Sequence, residues 1–246
     1  MQPVIAVLRL LWLSGHIFHG LVLIKFRFPA VSRAAQLAHI KRWSGKTLRV
    51  LGVELKFIGE LPAGNAKMLV GNHISWLDIA AVHAVLPEAR FVSKADVRDW
   101  PLVGALVTGA GTLYIERTSK RDALRVVHQA ADALKAGDTV AFYPEGTTGP
   151  GPDLLPFHGN LLQAAIATGT PIQPMVIRWH EPGQRFSPAA RFIGDMSLVQ
   201  SLWAIASARG LVVQLAMLPT HATHPGDERR ALAEQLRSQI AQALLD

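Results

Sequence analysis

Lys67-Met68-Leu69-Val70-Gly71-Asn72-His73-Ile74-Ser75-Trp76-Leu77-Asp78 is the stretch on which the fold turns. Its first five residues form a short apolar run closed by glycine, the pattern of a buried strand. The residues after Trp76 change to helical spacing, predicting a helix over 76–86. Polar Asn72, His73, Ser75 and Asp78 therefore fall at a strand-to-helix junction. A histidine there can act as a general base, and a nearby carboxylate can orient it. On an ideal helix, residues five apart diverge by about 140°. His73 and Asp78 can therefore meet only if His73 lies in the turn before the helix and folds back. A polar turn with Ser75 or Asp78 capping the helix fits the same residues.

Working outward, the same alternation repeats. Short apolar runs predict strands at 54–58, 67–71, 90–93, 112–115, 139–143, 172–179, 190–193 and 211–218. Helical periodicity falls between them, most clearly in 119–136 and 227–245, with shorter helices at 101–108, 160–168 and 198–208. Strands alternating with helices predict an α/β fold: a mixed sheet flanked by helices on both faces. Residues 51–246 are expected as this domain. The Gly/Pro-rich stretch 147–156 is the expected loop beside a site.

Charge separates the N-terminal segment. The chain has 246 residues and a net charge of +7. Its first 53 residues hold eight Lys/Arg and no acid, and the remainder holds 17 cations against 18 acids. Val4–Phe28 is mostly apolar, interrupted by Arg9, His16 and His19. Lys25 and Arg27 follow it, and no small-residue cleavage site does, which argues against a cleaved signal. After Pro29, residues 31–50 mix Leu37, Ile40, Trp43 and Leu48 with five cations, as an amphipathic helix in a headgroup layer does. Residues 1–50 are thus expected as a membrane-docking helical hairpin against anionic lipid, with the body on the cytoplasmic side of the inner membrane. A buried helix followed by a solvated one is the plainer alternative.

Composition narrows the function. Zero cysteines exclude disulfides, thiol nucleophiles and Cys-based zinc sites. The near-neutral body, without an aromatic-basic stripe, argues against nucleic acid. No Gly-x-Ser-x-Gly elbow is present, which argues against an α/β hydrolase. Among the other histidines, His83, His128, His221 and His224 lack acidic partners at metal-ligand spacing, and no metal is expected. His83 and His128 are expected at a core edge or on the surface.

Three further blocks sit at strand ends. Tyr143-Pro144-Glu145-Gly146-Thr147-Thr148 follows an apolar run and reads either as a polar substrate rim or as an ordinary turn. Gly111 to Arg117 ends in an arginine suited to a phosphate, or to a surface pair with Glu116. Thr170 to Ile177 opens with two prolines and reads as an edge or entry strand.

Taken in order, these blocks resemble the glycerolipid acyltransferase family, of the bacterial lysophosphatidate acyltransferase type. NHISWLD (72–78) is similar to its Asn-His-x4-Asp block and GTLYIER (111–117) to its Gly-x-x-x-Ile-x-Arg block. FYPEGTT (142–148) is similar to its Phe-Pro-Glu-Gly-Thr block, and TPIQPMVI (170–177) to its Pro-Ile-x-Pro block. The resemblance covers roughly residues 50–180. The first and third blocks are specific together, and the others support them.

The resemblance implies transfer of a fatty acyl chain from an acyl thioester, acyl-CoA or acyl carrier protein, to the hydroxyl of lysophosphatidate. It implies no cofactor and no acyl-enzyme. His73 is the implied base, with Asp78 orienting it. Asn72, Arg117, Glu145, Gly146 and Thr147 are the implied substrate-binding residues, Arg117 on the acceptor's phosphate. Two positions depart from the family. Thr148 stands where an arginine is common, and Phe157-His158-Gly159 replaces Phe-Lys-x-Gly. Two cations are therefore lost beside an anionic acceptor, and a lyso-ornithine lipid acceptor fits as well. A non-catalytic lipid-binding relative would be expected to lose His73 or Asp78, yet both are present.

Overall fold

The computed structural model describes residues 2–61, 66–115 and 120–246. Among these residues one sheet has seven strands. They are β1 Glu54–Ile58, β2 Lys67–Gly71, β3 Ala89–Lys94, β4 Leu113–Ile115, β5 Thr139–Phe142, β6 Ile172–His180 and β7 Val212–Met217. The order is β1-β7-β6-β2-β5-β3-β4, and every neighbouring pair is parallel except β6 with β7. The helices are α1 Gln2–Val22, α2 Arg33–Val50, α3 Asp78–His83, α4 Val103–Gly109, α5 Lys120–Lys135, α6 Leu162–Thr168, α7 Leu198–Ser207 and α8 Arg229–Leu245. This is the mixed, doubly covered sheet that the alternation predicts.

Central strands β2 and β5 are buried along their whole length, so their sequences read as unbroken apolar runs. Successive side chains of a strand enter opposite layers. Leu69, Ala141, Met175 and Ile177 join one core with α1, α3 and α7. Met68, Val70, Val140, Phe142 and Val176 join the other with α5, α6 and α8. The sheet is thereby fixed from both sides, and the carboxyl ends of β2 and β5 lie adjacent.

Two polar interruptions of α1, Arg9 and His16, have structural explanations. Ala6, Leu13, His16 and Gly20 turn inward, while Leu8, Leu11, Trp12 and Phe18 stay exposed. Arg9 donates to the carbonyls of Ala206 (2.8 Å) and Ala208 (3.1 Å), at the carboxyl end of α7. A cation there satisfies orphan carbonyls at the negative end of the helix dipole. His16 and Trp43 exchange ring-to-backbone hydrogen bonds of 3.0 Å each, tying α1 to α2. Gly20 lets the helices approach, because a Cβ there would lie 2.6 Å from Trp43 and 2.8 Å from Leu106. The helical stretch Pro3–Ala30 is long and apolar enough to cross a membrane.

Sequence expectations are refined at three places. Residues 190–193 form no strand. The run is apolar, but it crosses above the sheet as a strap with isolated hydrogen bonds, including Phe192 N–H to the Ile74 carbonyl (3.1 Å). Of the two readings of the Pro-Ile-Gln-Pro run, strand entry holds and edge does not: the run opens β6, an interior strand. Pro174 survives there because the β6–β7 ladder bulges. The Pro174 carbonyl accepts from Leu218 N–H (3.0 Å), and the Gln173 side chain donates to the Leu218 carbonyl. That side-chain donor supplies what proline lacks. The helix expected over 76–86 is also shorter, because Asp78 turns back onto the preceding loop.

Candidate active site

β2 ends at Gly71, packed under Met175, where a Cβ would lie 2.8 Å from the methionine's Cγ. The next side chain, Asn72, is fully buried. Its amide donates to the Ile177 carbonyl and accepts from the Ile177 N–H, both at 2.8 Å. Asn72 therefore ties β2 to β6 beyond their ladder. Its polar atoms are occupied within the protein and sealed from solvent.

His73 then steps out at the sheet edge. Its Nδ1 lies 2.8 Å from Asp78 Oδ2. The same oxygen accepts from the backbone N–H of Ile74 (2.7 Å) and Ser75 (2.9 Å). Asp78 Oδ1 accepts from Trp179 Nε1–H at 2.7 Å. Four donors converge on one wholly buried carboxylate. A carboxylate only accepts, so His73 Nδ1 must carry the proton, leaving Nε2 with its lone pair. The geometry matches the fold-back turn that the spacing required.

The second block builds the opposite wall. The Tyr143 ring stacks on His73 at 4.0 Å and 7° between planes. Glu145 is buried, and its two oxygens accept from the N–H groups of His73 (2.7 Å) and Leu155 (2.9 Å). Burial raises the Glu145 pKa from its ordinary value, against the pull of those two hydrogen bonds. Glu145 is thus a brace for the His73 backbone. Gly146 holds φ at +71°, in the left-handed region that favours glycine. Gly149 N–H donates to the His73 carbonyl at 2.6 Å, and the Thr148 hydroxyl donates to the Phe192 carbonyl. The loop and the strap are thereby closed over the His/Asp turn.

A cavity of about 440 Å³ begins at this wall. His73, Tyr143, Gly146 and Thr147 line one end. Ile17, Leu23, Ile40, Trp43 and Leu106, from α1, α2, α4 and the turn after α1, line the rest. Its volume lies within the ordinary range of small-ligand sites. His83 belongs to the same wall and is buried, which corrects its expected place at a core edge or on the surface. Burial takes its pKa down to about 4, and its Nε2 lies 2.9 Å from the Ala89 carbonyl. A neutral histidine suits an apolar wall. Arg117 lies outside the described residues.

Two contributors carry no local sequence signal. Trp179 reaches Asp78 from β6, 101 residues away. Arg237 on α8 donates to the carbonyls of Leu154 (2.8 Å) and Leu155 (3.1 Å), holding the loop whose Leu155 N–H braces Glu145. Only the tertiary fold brings them in.

Comparison with known proteins agrees with this architecture. The family model described as Acyltransferase matches residues 53–178. A 1-acyl-sn-glycerol-3-phosphate acyltransferase of Neisseria gonorrhoeae is 32% identical over 74% of this chain and 71% of its own. A lyso-ornithine lipid O-acyltransferase of Pseudomonas aeruginosa is 35% identical over 82% and 76%. The crystal structure of PlsC, the 1-acyl-sn-glycerophosphate acyltransferase of Thermotoga maritima, shares the fold. Its TM-score is 0.69 at 19% identity, covering 100% of this chain and 97% of that one. The fold, the matched segment and these identities agree that the chain belongs to the Acyltransferase family and is an acyltransferase of the lysophosphatidate and lyso-lipid type.

Proposed function

We propose that this enzyme moves a fatty acyl chain from acyl-CoA or acyl carrier protein to the free hydroxyl of lysophosphatidate, giving phosphatidate. The carrying observation is the pairing of part-exposed His73 with fully buried Asp78 at the mouth of an apolar cavity. His73 Nε2 takes the proton of the acceptor hydroxyl as its oxygen adds to the thioester carbonyl. Asp78 holds the tautomer and stabilises the imidazolium. The cavity takes the acyl chain, while Gly146 and Thr147 shape the acceptor end. No cofactor enters the scheme.

A second acceptor has specific support. Thr148, where the family commonly has arginine, is bonded to the Phe192 carbonyl, and a lyso-ornithine lipid enzyme is among the similar relatives. A direct competition decides between them. Detergent-purified enzyme is given palmitoyl-CoA or palmitoyl carrier protein with equal lysophosphatidate and lyso-ornithine lipid, and products are read by mass spectrometry. Phosphatidate is expected to dominate. Exclusive acylation of lyso-ornithine lipid would transfer the assignment to the second acceptor.

The N-terminal helices support membrane association, placed here at the cytoplasmic face of the inner membrane. A groove of about 460 Å³ between α1 and α2 has Ile5, Leu8, Trp12 and Val50 along it, with Lys46 and Arg49 at its rim. Both cations are exposed, as an anionic headgroup layer requires. A basic residue near such a surface contributes about 1 kcal/mol, so removing two costs about 2 kcal/mol, roughly thirtyfold in binding. Lys46→Gln with Arg49→Gln is expected to weaken binding to phosphatidylglycerol vesicles by that factor. Binding to phosphatidylcholine vesicles should hardly change. Equal losses on both vesicle types would remove the electrostatic part of the assignment.

A further inference from the structure

Tyr143 holds a hydroxyl at this site that the scheme above leaves unused. Its ring lies between His73, at 4.0 Å, and Phe91, at 5.5 Å. Its Oη is buried and has no hydrogen-bond partner among the described residues. Buried polar atoms are nearly always satisfied, so an orphan beside a catalytic group calls for an explanation. Packing does not supply one. Phenylalanine would make both stacks without a hydroxyl. Burial, and secondarily the charge of Asp78, hold the phenol's pKa well above its ordinary value. The hydroxyl therefore keeps its proton and is available as a donor.

Tyr143 also lines the cavity that His73 opens onto. An acyl chain brings only methylenes into that space. The first hydrogen-bond acceptor it carries is the thioester carbonyl oxygen, and the carbonyl carbon must come within reach of the hydroxyl that His73 activates. We propose that Tyr143 Oη–H donates to this carbonyl oxygen and to the oxyanion that forms from it, making Tyr143 a catalytic residue. In the step, the acceptor oxygen bonds to the carbonyl carbon and its proton passes to His73 Nε2. The carbonyl π pair moves onto the oxygen that Tyr143 holds. Collapse restores the carbonyl and breaks the C–S bond, and the departing thiolate takes the proton from His73. A fixed donor to the developing oxyanion is worth roughly 10²-fold in rate.

This inference rests on the reading of His73 as base, and its test separates the two. Tyr143→Phe and His73→Ala are compared with the wild type, using whichever of palmitoyl-CoA and palmitoyl carrier protein the wild type accepts. Tyr143→Phe is expected to lower kcat roughly 10²-fold. The acceptor KM should hold, and the melting temperature should stay level or rise, because only an unsatisfied hydroxyl is removed. A kcat within twofold of wild type would overturn the proposal. So would a kcat loss matched by a falling melting temperature, since that marks a packing role. Two unreactive donor analogues give a readout independent of turnover. A ketone analogue of palmitoyl-CoA keeps the carbonyl, and a thioether analogue lacks it. Tyr143→Phe should bind the ketone more weakly than wild type does and the thioether equally well. Equal binding of both would again overturn the proposal. Full activity in His73→Ala would sink the base assignment, while the analogue pair would still decide for Tyr143.

Discussion

His73→Ala is expected to cut kcat about 10³-fold while leaving KM for both substrates within a factor of two. The expectation follows from what His73 touches. Its Nδ1 is bonded to Asp78, and Nε2 has no partner among the described residues, so Nε2 is free for the acceptor's proton. That contact gains most of its strength as the proton moves. Losing it raises the barrier without weakening ground-state binding. Positioned proton transfer contributes about 10² to 10⁴ in rate. The fold should tolerate the change. The His73 backbone is held independently by Glu145 Oε1 and by Gly149 N–H, and the side chain is partly exposed. Thermal unfolding monitored by circular dichroism should place the variant within a few degrees of wild type. A folded His73→Ala enzyme with wild-type kcat would end the general-base reading. A raised KM at unchanged kcat would recast His73 as a binding residue.

The parts of this site that were legible in the sequence are those that depend on neighbours along the chain. A glycine-closed apolar run marks β2, and the five-residue spacing forces His73 into the turn where it meets Asp78. The Glu145-Gly146 turn after β5 was legible for the same reason. The rest depends on partners far along the chain. The resemblance implies Asn72 as a substrate ligand, and no neighbour along the chain shows its tie to β6. Its partner, Ile177, lies 105 residues away. The apolar run 190–193 satisfied the strand pattern, yet it has no ladder partner and instead ties the Thr148 loop to Ile74. Pro174 left an edge strand and a strand entry both open, because proline leaves a gap in a ladder. Nothing local shows that the Gln173 side chain and a bulge fill that gap. Strand order is likewise invisible locally, and it is the adjacency of β2 and β6 that delivers Trp179 to Asp78.

Trp179 makes the second large effect unusually specific. Asp78→Asn is nearly isosteric, yet it should lower kcat about 10²- to 10⁴-fold and also destabilise the fold, unlike His73→Ala. An asparagine amide offers one acceptor oxygen and one NH2, but the site presents only donors. With its oxygen toward His73, Ile74 and Ser75, its NH2 faces the Trp179 N–H across the 2.7 Å that Oδ1 now spans. Flipped, the NH2 meets the N–H groups of Ile74 and Ser75 at 2.7 and 2.9 Å. His73 must then accept at Nδ1, which moves its proton to Nε2 and removes the base. Unsatisfied buried donors cost about 1–3 kcal/mol. A fall in urea-unfolding stability of that size is the expected accompaniment. Adding Trp179→Phe should separate the two effects. The double variant has no indole N–H to oppose the NH2, so the amide oxygen can keep its place against His73 Nδ1–H and the working tautomer can return. Its kcat should exceed that of Asp78→Asn alone, even though Trp179→Phe on its own removes a hydrogen bond from Asp78 and should slow the enzyme. Simple additivity of the two losses would show that the charge of Asp78, and not the tautomer it enforces, carries its contribution.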